Sequence, residues 1–307
     1  MKISTIMTLA AMAVVGSVAA QKPILPDFHA DPSAHNWGDG KIWLYPSTDE
    51  PGSTSWKEMK RWHAYTSTDL KTWKCEGQIF SLEDVSWATE AAFAPDATMR
   101  NGKYYFVFPA HFKIGIAVSD KPQGPFKDAI GKPIIAQNEC KGVASFDPCI
   151  FIDDDPAKTP YLYYGGGRGC AVVKLKDNMI EREGEIQKLP LPEYAEGIWV
   201  HKRKGIYYMT YPNHIKDAEG NIKQKLVYCT APTPTGPFTF RGEFLDNKSR
   251  NSHHSIIEIK GKWYLFYHIQ GPSPYERRVC VEYLEYDKEG LIKPVPMTNT
   301  GVKPIKM

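Results

Sequence analysis

The sequence predicts an all-β chain folded as a five-bladed β-propeller, on three observations. Long stretches with a helical apolar period are almost absent. Short runs of aromatic and β-branched residues alternate instead with turns rich in Gly, Asn, Asp and Pro. One pattern then recurs five times: a polar residue, an apolar strand, a turn, an aromatic-rich strand, and a further strand often followed by Gly-Pro-Phe or Trp. A β-sandwich also has short strands and turns, but it does not account for the same aromatic strand returning five times behind a polar residue.

The first unit opens at Asp31 and continues through Lys41-Ile42-Trp43-Leu44-Tyr45 to Trp73. The second opens at Asp96, with Lys103-Tyr104-Tyr105-Phe106-Val107-Phe108 and Gly124-Pro125-Phe126. The third opens at Asp147, with Tyr161-Leu162-Tyr163-Tyr164. The fourth opens at Glu196, with Ile206-Tyr207-Tyr208-Met209-Thr210-Tyr211 and Gly236-Pro237-Phe238. The fifth opens near His253, with Lys262-Trp263-Tyr264-Leu265-Phe266-Tyr267. In a propeller the first strand of each blade lines the central channel. The five opening residues are therefore expected to converge at one mouth of that channel.

Ahead of the repeat, Lys2 precedes an apolar run from Ile6 to Val18 and the small residues Ser17-Val18-Ala19-Ala20. This reads as a cleavable secretory signal peptide over residues 1–20, which leaves 21–307 as the propeller domain and a secreted or periplasmic destination. The run is too short and too Ala-rich for a membrane span, and no later stretch is long enough to be one. The formal net charge of +3 is spread along the chain, so neither nucleic acid nor an anionic membrane is indicated as a partner. Cys75, Cys140, Cys149, Cys170, Cys229 and Cys280 stand singly, without the spacing of a zinc site. Several lie in apolar runs, so buried thiols and disulfides both remain open.

Four acids and a histidine at one channel mouth suit glycosidic bond hydrolysis. That reaction needs a protonated carboxylic acid at the leaving oxygen and a carboxylate that activates water or attacks carbon. Burial or a neighbouring carboxylate holds the acid neutral. Ala30-Asp31-Pro32-Ser33 and Phe146-Asp147-Pro148 repeat one Asp-Pro arrangement at equivalent places. Either one alone is equally an Asx-type turn. Ala195-Glu196-Gly197 sets a carboxylate beside a glycine that permits close approach, with Trp199 nearby to bury it. Ala94-Pro95-Asp96 supplies the fourth acid, again with a plain turn as its alternative. The Gly165-Gly166-Gly167-Arg168-Gly169 run lacks the Lys-Ser/Thr and helix of a phosphate loop and reads as a tight connection inside the third blade.

These motifs, with Ser252-His253-His254-Ser255 and Lys262-Trp263-Tyr264-Leu265-Phe266-Tyr267-His268, resemble glycoside hydrolase family 43 across essentially all of residues 21–307. The family includes β-xylosidases, α-L-arabinofuranosidases and arabinanases. The resemblance implies Asp31 as the general base, Glu196 as the general acid and Asp147 as the carboxylate that orients the acid and tunes its pKa. It implies inversion at the anomeric carbon, which would set the base and acid carboxyls roughly 6.5–9.5 Å apart. It further implies Asp96 near substrate hydroxyls and His253 facing the channel beside a hydrated calcium ion. Arg277 would reach the sugar, with adjacent Arg278 leaving the register open by one residue. Phe93 stands where the family often has tryptophan.

Phe28, Trp87, Trp199 and His268 are candidates for sugar stacking or hydrogen bonding, with ordinary propeller packing as the alternative for each. The expected activity is release of L-arabinofuranose or D-xylose from arabinose- or xylose-containing poly- or oligosaccharide. The alternatives are an endo-arabinanase on the same fold and a carbohydrate-binding propeller without catalysis.

Overall fold

The computed structural model describes residues 22–216, 219–220 and 222–307. The proposed signal segment, 1–20, lies outside them.

Each repeat in the sequence becomes one antiparallel sheet. Blade I comprises β1 (His29–Asn36), β2 (Ile42–Thr48), β3 (Arg61–Ser67) and β4 (Lys74–Ser81). Blade II comprises β5 (Asp96–Arg100), β6 (Lys103–Ala110), β7 (Lys113–Ser119) and the two-residue β8 (Lys127–Asp128). Blade III comprises β9 (Cys149–Ile152), β10 (Pro160–Gly166), β11 (Gly169–Leu175) and β12 (Arg182–Leu189). Blade IV runs through β13 (Trp199–Arg203) and β14 (Ile206–Pro212). A small hairpin, β15 (Ile215–Lys216) and β16 (Ile222–Lys223), interrupts it before β17 (Leu226–Ala231) and β18 (Thr239–Leu245). Blade V has three strands, β19 (His254–Ile259), β20 (Lys262–Ile269) and β21 (Arg278–Leu284).

The innermost strands close a ring: β1 touches β5, β5 touches β9, β9 touches β13, β13 touches β19, and β19 returns to β1. This is the five-bladed propeller expected from the repeat.

The alternation of side chains along each aromatic strand explains how the blades hold together. Successive residues on a strand point to opposite faces, so one strand serves two inter-blade cores. In β6, Phe106 and Phe108 join Trp62 and Phe80 from blade I. Tyr105 and Val107 point the other way, against Leu162 and Tyr164 of blade III. In β20, Leu265 and Tyr267 face the core shared with blade IV, while Tyr264 and Phe266 face Leu44 and Tyr65 of blade I. Each fully buried side chain of this kind contributes about 1.5–3 kcal/mol of burial free energy, so a strand apolar on both faces stabilises two seams.

Blades V and I are tied at both ends of the described chain. The Ile24 and His29 amides donate to the Val279 and Arg277 carbonyls at 2.9 Å each. The Ile305 and Met307 amides donate to the Asp69 and Thr68 carbonyls. All six cysteines are free thiols, with Cys149, Cys170, Cys229 and Cys280 buried in the strands. Among the described residues no helix is long and apolar enough to cross a membrane.

Candidate active site

Asp31 and Asp147 share an unusual backbone. Their φ angles are +48° and +49°, in the left-handed region that a non-glycine residue before proline rarely occupies. In β1 the pairing with β2 slips between Ala30 and Ser33, so Asp31 bulges out of the ladder. Such strain persists only where the surroundings over-determine it. Gly197 makes the corresponding left-handed step beside Glu196, with φ +61°, and a Cβ there would come within 3.1 Å of the His253 ring.

The three carboxylates meet in one cleft of about 600 Å³, lined also by Trp56, Phe93, Phe112, Phe146, Asn251, Ser252, His253 and Arg277. Phe93, Phe112 and Phe146 form a wall of edge-on rings with centroids 6.0–6.4 Å apart. Gly166 makes room for that wall, since a Cβ there would sit 1.9 Å from the Phe146 ring. The glycine run is thus the tight β10–β11 connection expected, and its lack of side chains seats an aromatic of the cleft.

Asp31 is 5% exposed and held from several sides. Its Oδ2 accepts from the Ser47 hydroxyl at 2.6 Å, and its Oδ1 accepts from Arg277 Nη1 at 2.9 Å. Burial alone would raise its pKa. The charge of Arg277, joined by His268 and His253 where acid protonates them, outweighs burial and brings it down to about 2. Arg277, only 1% exposed, needs a second anion, and Asp49 supplies it. Asp49 accepts from Arg277 Nε at 3.0 Å, Nη2 at 2.8 Å and the backbone amide at 2.8 Å. The guanidinium also lies 4.7 Å from the centroid of the Trp56 ring.

Asp147 and Glu196 are shifted the other way. Burial lifts the Asp147 carboxyl well above its ordinary value, and the charges of Glu196 and Asp31 add to the lift. Burial also raises Glu196, with Asp31 adding, against a lowering by the Gln224 hydrogen bond. Gln224 Nε2 donates to Glu196 Oε1 at 3.0 Å, while Gln224 Oε1 accepts the Ser252 amide at 2.6 Å. The backbone therefore fixes which way the amide points. The site holds one carboxylate kept ionised and a neighbouring pair inclined to retain a proton. That is the division of labour that acid/base hydrolysis of a glycosidic bond requires.

The remaining sequence candidates fall in different places. Arg277, not Arg278, enters the cleft; Arg278 stands at 4.7 Å over the Phe28 ring, away from the carboxylates. His268 is fully buried behind Asp31. Its Nδ1 accepts the Asp31 amide at 3.1 Å and its Nε2 faces the Asn251 carbonyl at 3.0 Å, so it positions Asp31 rather than facing a sugar. Burial brings its pKa down to about 4.

Asp96 is 1% exposed and saturated with donors: the Ser33 hydroxyl at 2.7 Å, His35 Nε2 at 3.0 Å and the Ile150 amide at 2.6 Å. It bolts β1, β5 and β9 together inside the channel, with both of its oxygens engaged there. Trp199 is buried with its indole N–H on the Ile256 carbonyl. The Trp87 ring stacks on Phe108 and donates to Asp128. For Asp96, Trp199, Trp87 and Phe28 the placement is packing and bracing, because each side chain is spent on a partner outside the cleft.

His253 lines the cleft, its Nδ1 3.8 Å from Asp31 Oδ1 and 3.9 Å from Asp147 Oδ2. Burial lowers its pKa, so it is a neutral imidazole beside two acids. Calcium takes six to eight oxygen ligands. A hydrated ion beside His253 would therefore take nearly all of its ligands from water. Among the described residues no group of three or more His, Cys, Asp or Glu side chains is placed to hold a metal. No step below passes through calcium.

Sequence reasoning missed Trp56, Asp49, Gln224 and Asn251. All lie in loops or at strand ends without a repeated motif.

A second cavity of about 1070 Å³ adjoins the first. It shares Trp56, Glu196 and Asn251 with it and is lined further by Arg168, His214, Gln224, Arg250 and Tyr275. Glu196 therefore faces both cavities, whereas Asp31 and Asp147 face only the first.

A propeller with this carboxylate cleft is a glycoside hydrolase. Residues 20–292 match the model for glycosyl hydrolases family 43, and the chain belongs to that family. It is 33% identical to a xylosidase/arabinosidase of Bacteroides ovatus over 87% of this chain and 94% of the relative. A GH43_1 enzyme from Xanthomonas citri superposes with a TM-score of 0.79 at 30% identity, covering 94% of this chain and 97% of the other. A β-xylosidase/α-arabinofuranosidase from a compost metagenome, solved with xylotriose in a calcium-free form, superposes at 0.77 and 30% identity over 89% and 96% of the two chains.

Proposed function

We propose that this hydrolase releases a terminal or branching pentose, L-arabinofuranose or D-xylose, from xylan- or arabinoxylan-type chains by single displacement with inversion. The observation that carries this reading is the position of Glu196 on the boundary between two cavities. A group that protonates the leaving oxygen must touch both the sugar being cut off and the chain that leaves.

The terminal sugar occupies the first cavity, its C–H faces against Trp56 and the Phe93, Phe112 and Phe146 wall. Glu196 gives its proton to the glycosidic oxygen as the C1–O bond breaks. Asp31 takes a proton from a water that attacks C1 from the opposite face. Asp147 is coupled to Glu196, and burial with the like charge of the two carboxyls keeps a proton on the pair. Relatives named for xylosidase, arabinosidase and arabinoxylan arabinofuranohydrolase activities support the pentose. The Phe93, Phe112 and Phe146 wall bounds the first cavity on one side, which favours exo cleavage or debranching over endo-arabinanase action. The N-terminal pattern supports export after removal of residues 1–20, leaving 21–307 as the catalytic domain.

The test is hydrolysis of nitrophenyl β-D-xyloside and nitrophenyl α-L-arabinofuranoside by the wild type and Glu196→Ala, together with the sugars released from arabinan, arabinoxylan and xylo-oligosaccharides. Monosaccharide release from one or both pentosides is expected from the wild type, and Glu196→Ala should lose most on the oligosaccharides, whose leaving oxygen must be protonated, and least on the nitrophenyl glycosides. Binding without turnover in the wild type, or unchanged turnover of the oligosaccharides in Glu196→Ala, overturns the reading.

A further inference from the structure

The second cavity differs from the first in its charge. Apart from Glu196 on its boundary, the side chains that line it and can carry charge are Arg168, Arg250 and His214. Neither arginine has a carboxylate partner among the described residues. Arg168 Nη2 instead bonds His214 Nε2 at 2.9 Å. Burial, Arg168 and Lys216 together push the His214 pKa down, so the imidazole accepts that bond as a neutral group and cancels no charge.

Arg168 also has an unusual backbone. It is the one side chain in the run Gly165-Gly166-Gly167-Arg168-Gly169, and its φ is +74°. That left-handed conformation is uncommon for a non-glycine residue. The turn projects a guanidinium into the cavity that Glu196 borders, on the side where the leaving group departs.

Trp56 and Tyr275 also line the cavity, and their rings meet edge to face with centroids 4.5 Å apart. The cavity thus offers an aromatic face for a sugar ring and two guanidinium groups for an anion. A neutral sugar asks mainly for mixed donors and acceptors. A fork of N–H donors with full charge matches a carboxylate. We infer that the leaving-group cavity selects oligosaccharides that carry a uronic acid close to the bond being cut, with the uronate carboxylate on Arg168 and Arg250 and its ring on Trp56 and Tyr275. This rests on the assignment of Glu196 as the acid between the two cavities.

The test uses the wild-type chain with paired substrates: xylo-oligosaccharides and arabinofuranosyl xylo-oligosaccharides, each with and without a glucuronosyl branch on the leaving-group side. The expected result is a several-fold higher kcat/KM for the acidic member of the pair that is cut. That advantage shrinks as ionic strength rises from about 0.05 M to about 0.5 M, as screening of an exposed charge pair demands. In Arg168→Gln/Arg250→Gln the ratio of acidic to neutral kcat/KM falls several-fold, the scale of two solvent-exposed ion pairs. Lysine at both positions restores part of it.

Equal kcat/KM for the wild-type pair at low salt, or an acidic preference untouched by the double variant, overturns the inference. Loss of activity on simple nitrophenyl pentosides by the wild type would overturn the proposed function instead, so the two failures are distinguishable.

Discussion

Gln224 offers a test of how the acid is tuned. Its amide donates to Glu196 Oε1, and the Ser252 backbone N–H holds it in that orientation. A hydrogen bond to a charged acceptor contributes about 1.5–3 kcal/mol. One pKa unit is about 1.36 kcal/mol. Glu196 is only partly buried, which scales the effect toward the lower end, so removing the donor should raise its pKa by about one unit.

The sign follows from the acid's role. Activity is lost as pH rises and Glu196 gives up its proton, and the Gln224 N–H favours the ionised form. In Gln224→Leu the alkaline limb of kcat/KM should therefore move upward by about one pH unit, the limb belonging to the coupled Asp147–Glu196 pair rather than to one residue. The substrate should be xylobiose or an arabinofuranosyl xylo-oligosaccharide, whose leaving oxygen needs a proton. A variant that merely loosened the loop would lower kcat and leave the limb in place. An alkaline limb that stays put or moves down refutes the reasoning.

Other consequences can be measured directly. Arg277→Met leaves Asp31 and Asp49 buried without their cation, and stability by urea denaturation should fall by about 3–5 kcal/mol. The depressed Asp31 carboxyl contributes stability that is full above its unfolded pKa near 3.8 and is lost as pH falls toward about 2, so the wild type should lose stability in that window and the variant should lack this component. Asp147→Asn should abolish turnover yet raise stability at pH 7, because the raised Asp147 pKa means that the ionised form is disfavoured in the folded state. Asp96→Ala should lower the melting temperature by removing a brace shared by three blades, with KM for a nitrophenyl pentoside little changed. A KM rise with unchanged stability would return Asp96 to substrate binding.

The features legible in the sequence were those that repeat. Five aromatic strands disclosed five blades because each must be apolar on both faces, and the two Asp-Pro steps marked equivalent places at the channel mouth, where the backbone proved left-handed. Which way an isolated ring points depends on pleat and register, which no single residue reveals. Trp199 and Trp87 therefore looked like candidates for the sugar and proved to be hydrogen-bonded inside the fold. Trp56 was missed because its loop between β2 and β3 has no counterpart among the repeats. Gln224 and Asp49 act on Glu196 and Arg277 across long sequence separations, 28 and 228 residues, and only the closed ring brings them together. Asp96 shares its place in the repeat with Asp31 and Asp147, yet its backbone stays extended in β5 and its oxygens turn inward to Ser33, His35 and Ile150.

The central claim is that Asp31 delivers water to the face opposite the bond that Glu196 cleaves. Proton NMR of the first sugar released, recorded before mutarotation, tests it most directly. A β-D-xyloside should yield α-D-xylose first, and an α-L-arabinofuranoside should yield β-L-arabinose first. Release of the retained anomer would mean a covalent intermediate on a carboxylate and would contradict the assignment of Asp31 as a base.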